Sequence, residues 1–245
     1  MIGSALLVAV GLSAVIFDLG RGSPLATIVP SLAGRRALTG LLFGATGMAI
    51  ALSRVGRISG AHLNPVVSIA FWAERKLSTP TMVAFVASQL LGAIVGSVPL
   101  LAWGLMGRSI AYGATSPGPR GIGAAFLGET IATFLLVFLL LTFVSHARLR
   151  RFTPALFPPL YCVLVWLEAP WSGSSTNPAR SLGPDVMTLA SHHYWLYWAA
   201  PVVGMLLALA ARRIVPIIRD LEIDIAKVAH FEVDLAAQLP GRAGT

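Results

Sequence analysis

Apolar residues run in six long blocks, residues 2–19, 37–53, 81–105, 123–145, 154–167 and 195–211, separated by polar connections bearing Gly and Pro. A helix needs about 20 mostly apolar residues to cross a bilayer's hydrocarbon, so each block is predicted to be a membrane-crossing helix. The fifth is short and contains Pro158-Pro159; carrying it on to Trp171 gives it spanning length and places Glu168 inside it. Connections longer than a turn fall at residues 20–36 and 107–122, the latter rich in Gly, Ser and Pro. That stretch reads as a linker between two three-helix halves, residues 1–106 and 123–216, of one membrane domain. Beyond Pro216 the chain turns polar and charged, with Ile217, Ile218, Leu221, Ile225 and Val228 spaced as one helix face. Residues 217–245 are therefore expected to form a cytoplasmic tail lying on the membrane.

Composition agrees with a bilayer as the solvent. Of 245 residues 56% are hydrophobic and only 11% charged, with mean hydropathy +0.78, too apolar for an ordinary soluble domain of this size. The net charge of +8 does not point to nucleic acid, because the basic residues are not gathered into a stripe with interleaved aromatics. They punctuate the apolar blocks instead. With the N-terminus in the cytoplasm, the cytoplasmic connections carry Arg54, Arg57, Arg75, Lys76, Arg148, Arg150, Arg151, Arg212, Arg213 and Arg219, and the outer side keeps Arg21, Arg35, Arg36, Arg108 and Arg120. That bias favours a multi-pass protein of the cell membrane with both termini inside. The single cysteine, Cys162, lies in an apolar run and forms no disulfide within one chain. The first block lacks a basic leader and a cleavage site, so it reads as a retained helix and not a secretory signal.

The chemistry sits in a repeat. Ser59-Gly60-Ala61-His62-Leu63-Asn64-Pro65-Val66 lies between the second and third blocks, and Ser172-Gly173-Ser174-Ser175-Thr176-Asn177-Pro178-Ala179 between the fifth and sixth. One Asn-Pro pair is only a turn or helix start. Two, at matching places in two three-helix halves, predict loops that enter from opposite faces as an inverted repeat and meet near the midplane. Proline has no N–H to lose in a first helical turn, so each Asn-Pro opens a short half-helix while the residues before it stay irregular. Irregular backbone at that depth is tolerated where it lines a water-filled cavity.

Two half-helix N-termini facing one another carry partial positive charge and disfavour cations and protons. The amides of Asn64 and Asn177 are expected to donate to a passing hydroxyl, and the bare carbonyls of residues 61–63 and 173–175 to accept from it. Arg180, three residues after Asn177, would be costly in lipid but is placed to face water beside the second loop, where it repels cations.

These two loops resemble the signature loops of the major intrinsic protein (aquaporin and aquaglyceroporin) family, and with Ser181 after the arginine they are similar to its nodulin-like branch. The resemblance covers nearly the whole chain. It implies an all-α membrane protein with six transmembrane helices and two re-entrant half-helices, assembled as a homotetramer with one pore per subunit, without cofactor or metal. Glu129-Thr130-Ile131-Ala132-Thr133 resembles the signature opening the fourth helix, so Glu129 is expected to support a pore loop. The matching first-helix motif aligns Gly3-Ser4 with its end and asks for Glu just before Met1, so a truncated or misassigned start is expected. Val66 replaces the usual alanine and is expected to reshape the pore centre without stopping conduction.

By the family's pattern the outer constriction falls at Gly44, Val165, Ser174 and Arg180, or at Phe43 in place of Gly44 if one residue is inserted before the loop. Gly44 and Val165 remove the bulk and the histidine of water-selective relatives, so a wide aperture is expected, passing water with glycerol, urea-sized molecules, or undissociated arsenous or boric acid. A water-selective channel is the alternative.

Other residues are weighed against plainer roles. His62 is a pH gate or merely holds its loop; His146 and His192-His193 are too scattered for a metal site. Trp166, Trp171, Trp195 and Trp198 lie near block ends, as interfacial anchors do. Glu168 is a regulatory or transport carboxylate, or simply a water-facing helix terminus. An ion-coupled secondary transporter also uses broken helices in inverted repeats and would need a carboxylate such as Glu129 as proton carrier. A membrane protein with an occluded path is a third reading. No nucleophile–base pair or phosphate-cradling loop stands out, so no enzyme is expected.

Overall fold

The computed structural model describes residues 1–189 and 193–215; the expected C-terminal tail and His192 lie outside the described residues. Eight helices matter here: α1 Ile2–Leu19, α2 Leu32–Leu52, α3 Pro65–Ala73, α4 Thr79–Ser97, α5 Gly121–Ser145, α6 Thr153–Ser172, α7 Pro178–Thr188 and α8 Leu196–Ile214. Twice the order is two long helices, a short one, then a long one. At 1.5 Å per residue α3 and α7 are roughly 14 and 17 Å long, about half of what a crossing requires.

Several ends differ from the apolar blocks. The second block opens at residue 37, yet α2 begins at Leu32, because Ser31 accepts the Gly34 N–H at 3.2 Å as its N-cap. Arg35 is thereby drawn into the helix, and its Nη1 donates to the carbonyl of Asp18 at the end of α1 (3.0 Å). The third block is not one α-helix: α4 is followed by a 3-10 stretch, Val98–Trp103, with Pro99 in its first turn, and a short helix, Gly104–Arg108. The fifth extends to Ser172 despite Pro158, Pro159 and Pro170, and Gly173 ends it at φ +83°, a left-handed value suited to glycine. Among the described residues, five helical stretches are long and apolar enough to cross a membrane. The sixth, α2, has 21 residues, but Arg35 and Arg36 lower its mean hydropathy.

Long helices meet at glycines. A Cβ built on Gly40 or Gly44 of α2 would strike the carbonyls of Tyr161 and Phe157 on α6, one on Gly92 or Gly96 of α4 would strike Met1 and Ala5 of α1, and one on Gly204 of α8 would strike Thr130 of α5. Small residues let backbones approach this closely, which is how helices associate where lipid supplies no hydrophobic drive. In α1 a π-helical turn, Leu7–Gly11, interrupts the α-helix, and the Phe43 ring rests on Gly11, 2.8 Å from where a Cβ would stand.

Polarity is distributed inside out. Ser68, Gln89, Glu129, Thr133, Ser172, Thr176, Asn177 and Ser181 are buried, whereas Leu91, Leu101, Ile131, Leu167, Leu206 and Leu207 lie on the outer surface. Trp166 and Trp195 are exposed as well. A surface of this kind is suited to hydrocarbon and not to water.

Candidate functional site

The two loops are built alike. Gly60 (φ +66°) and Ala61 (φ +53°) lead to Asn64, and Gly173, Ser174 (φ +55°) and Thr176 (φ +52°) lead to Asn177. Each asparagine is extended and caps its own half-helix: Asn64 Oδ1 accepts the Val66 N–H at 2.9 Å, and Asn177 Oδ1 accepts those of Ala179 and Arg180 at 3.0 and 3.4 Å. Pro65 and Pro178 occupy the first turns, where a missing N–H costs nothing. The other ends of the amides cross over. Asn64 Nδ2 donates to the carbonyl of Thr176 at 2.8 Å, and Asn177 Nδ2 to that of Leu63 at 2.9 Å. An amide nitrogen has two protons, so each asparagine keeps one N–H beyond the crossing.

The carbonyls expected to be bare are partly engaged: Leu63 accepts from Asn177, His62 from Gln89 Nε2 (2.5 Å) and Ser175 from the Thr176 hydroxyl (2.7 Å). Their second lone pairs are what a solute would find. The His62 ring lies between Phe71 and Phe85, with centroids 4.9 and 5.2 Å away, and its Nδ1 is 3.3 Å from Ser68 Oγ. That packing favours the loop-holding role.

Glu129 of α5 sits beneath the second loop. Its Oε1 accepts from the Ser175 N–H and the Ser172 hydroxyl, both at 2.6 Å, and its Oε2 from the Thr176 N–H at 2.7 Å. Ser172 also contacts the Glu168 carboxyl and accepts the Ser174 N–H at 3.0 Å. A hydroxyl has a single proton to give, and the Ser172 oxygen lies against both the Glu129 and the Glu168 carboxyl groups. Glu168 is only 7% exposed, which disfavours the water-facing helix terminus, one of its two readings.

Arg180 is 5% exposed, and its Nη1 donates to the carbonyl of Gly113 at 2.7 Å. Thr115 binds Ser181 at 2.7 Å, and Ser181 binds Ser175 at 2.6 Å. The middle stretch is therefore more than a linker: it grips the second half-helix. No local signal in the sequence marked Gly113 or Thr115 for this.

A cavity of about 160 Å³ opens beside these loops, lined by Arg57 and Arg150, by Ala61, His62 and Leu63, by Phe43, Gly44 and Tyr161, and by both asparagines. Val165, Ser174 and Arg180 do not line it; they are buried at 9%, 6% and 5% exposure. Two expectations change accordingly, those for Gly44 and Val66. Gly44 does not open an aperture, because its missing side chain is where α6 packs, with a Cβ pointing into the Phe157 carbonyl. Bulk beside it is supplied by Phe43, whose ring lies 5.5 Å from that of Tyr161. Val66 does not reshape the pore centre: it is fully buried, away from the cavity, in an apolar cluster with Val137, Leu140, Leu141 and Ala208.

Known proteins resemble this chain. Residues 1–211 match the major intrinsic protein family. The chain is 36% identical over 186 residues to a probable aquaporin PIP2-7 of Oryza sativa subsp. japonica, covering 71% of this chain and 63% of that one. It is 34% identical over 194 residues to nodulin-26 of Glycine max (78% and 68% covered) and 30% identical over 175 residues to aquaporin Z of Rhodopseudomonas palustris (67% and 72%). The X-ray structure of the aquaglyceroporin from Plasmodium falciparum superposes with a TM-score of 0.71 at 22% identity, covering 89% of this chain and 95% of that one, and so shares the fold.

Proposed function

Because this chain belongs to the major intrinsic protein family, we propose that it is a passive membrane channel for water and small uncharged solutes, excluding protons and ions, and not an enzyme. The observation that carries this reading is the crossed pair of half-helix N-termini, with Asn64 and Asn177 both lining one cavity. A neutral hydroxylated solute exchanges its hydration there for the remaining amide N–H groups and loop carbonyls. A cation meets two positive helix ends there. Glu129 supports the second loop and is loaded with donors from it, which makes it a poor proton carrier and disfavours the secondary transporter.

Basic residues favour one orientation. Arg57 and Arg150 both line the cavity, and the excess of Lys and Arg on their side favours a cytoplasmic mouth there, with both termini inside the cell membrane. The resemblance to the family supports a homotetramer with one pore per subunit. Glycerol, urea-sized molecules or undissociated metalloid acids are the larger solutes in question.

Stopped-flow light scattering on proteoliposomes tests the reading. Water-driven shrinkage well above empty liposomes, with no dissipation of an imposed proton gradient, is expected. Flux equal to empty liposomes, or solute uptake that requires a sodium or proton gradient, would overturn it.

A further inference from the structure

We propose that the acidic segment 220–234 of this chain docks on the basic face where α8 ends and lies across the cavity mouth at Arg57 and Arg150, holding back flux. The throttling rests on the channel reading; the docking does not. The chain's carboxyl groups are unevenly divided. Of ten Asp and Glu residues, five (Asp220, Glu222, Asp224, Glu232 and Asp234) fall in this one stretch. Asp18, Glu129, Glu168 and Asp185 are buried in the bundle, all at 7% exposure or less, and Glu74 is engaged by Arg212, with Nη1 3.9 Å from its Oε2. The face at the ends of α2, α3, α5 and α8 meanwhile carries Arg54, Arg57, Arg75, Lys76, Arg148, Arg150, Arg151, Arg212 and Arg213. Among the described residues there, Glu74 is one acid against nine bases, and the chain's own remaining acids follow directly on its last helix.

Reach and chemistry both fit. Counted from Val215, residues 220 and 234 lie within ~16 and ~63 Å at roughly 3.3 Å per extended residue, enough to cross a face built from helices ~10 Å wide. Arg57 and Arg150 line the cavity, and the same lining includes Ala51, Val144, Pro154 and Phe157. Guanidinium groups take carboxylates by paired, charge-assisted hydrogen bonds. A segment that sets Asp220, Glu222 and Asp224 against them brings Leu221 and Ile223, which stand between the acids, to that apolar lining. The membrane surface expected for this tail is the poorer site, because the anionic cytoplasmic leaflet repels carboxylates. The same leaflet attracts the basic face, so lipid headgroups are the competitor that the experiment has to separate from the tail.

Two measurements on the full-length protein in proteoliposomes of uncharged lipid test this. In Arg57→Lys/Arg150→Lys both positive charges are kept, and a water-soluble carbodiimide should join the introduced amines to Asp220, Glu222 or Asp224 as amides, read by peptide mass. The yield should fall at about 1 M salt, where the screening length is ~3 Å against ~10 Å at 0.1 M. Water flux should rise over wild type in Asp220→Asn/Glu222→Gln/Asp224→Asn by about fivefold, a change of the size that coupling between two sites ordinarily gives. No amide to either introduced amine overturns the docking. Amides formed while flux is equal in wild type and the neutralised variant overturn the throttling. Flux that responds to added anionic lipid equally in both proteins shows a face that takes headgroups and not the tail, and overturns the proposal as well. Absence of water flux in both proteins sinks the channel reading, and the amides alone then decide the docking.

Discussion

At the scale of single residues, the second loop rests on a shared proton. Ser172 stands between two carboxyl groups, and its one hydrogen satisfies only one of them. Glu168→Gln keeps a polar partner for Ser172 and is expected to leave water flux and thermal stability near wild type, whereas Glu168→Leu removes that partner and is expected to lower the unfolding temperature. Glu129→Leu is harsher. It strands the N–H groups of Ser175 and Thr176, at about 1–3 kcal/mol each, and is expected to lower the unfolding temperature and abolish flux. Stability equal to wild type in Glu129→Leu would contradict the bracing role. Asn64, Asn177, Arg180 and Glu129 were legible in the sequence because motif and offset specify them. Ser172, Gly113 and Thr115 were not, since each acquires its role from a partner brought close only by folding: Arg180 reaches Gly113 across 67 positions and Ser181 reaches Thr115 across 66.

At the scale of elements, long apolar blocks located all six long helices but placed some ends wrongly, because ends are decided by caps. Ser31 starts α2 five residues before the apolar block opens, and Ser78 likewise caps α4 by accepting the Thr81 N–H at 3.3 Å. Helix rotation is settled by packing and not by pattern. Gly44 looked like a vacancy facing the pore, whereas α2 needs Gly40 and Gly44 to seat against α6. Gly44→Phe is therefore expected to pry the two helices apart, destabilising the protein by more than the ~1–3 kcal/mol of ordinary overpacking, instead of merely narrowing a filter. Thermal unfolding in detergent checks this. A Gly44→Phe protein as stable as wild type with selectively reduced solute flux would restore the filter role.

At the scale of the whole molecule, charge and polarity are arranged for a bilayer. Each half supplies one half-helix, and the apolar exterior leaves the polar groups to face one another. The proposed orientation and assembly are checked together. A cysteine placed at the N-terminus should resist impermeant reagents in intact cells, and cross-linking in native membranes should stop at four subunits. Labelling from outside, or a ladder ending at two, would require a different arrangement. The crossed amides carry a consequence for kinetics. Because Asn64 and Asn177 each hold the opposite half by a carbonyl, the halves are stitched together at the place where an alternating-access carrier must part. Passage then involves no conformational cycle. An Arrhenius plot of water flux should accordingly be shallow, with a slope close to that of water diffusing through itself, and the rate should climb in proportion to the osmotic gradient without reaching a ceiling.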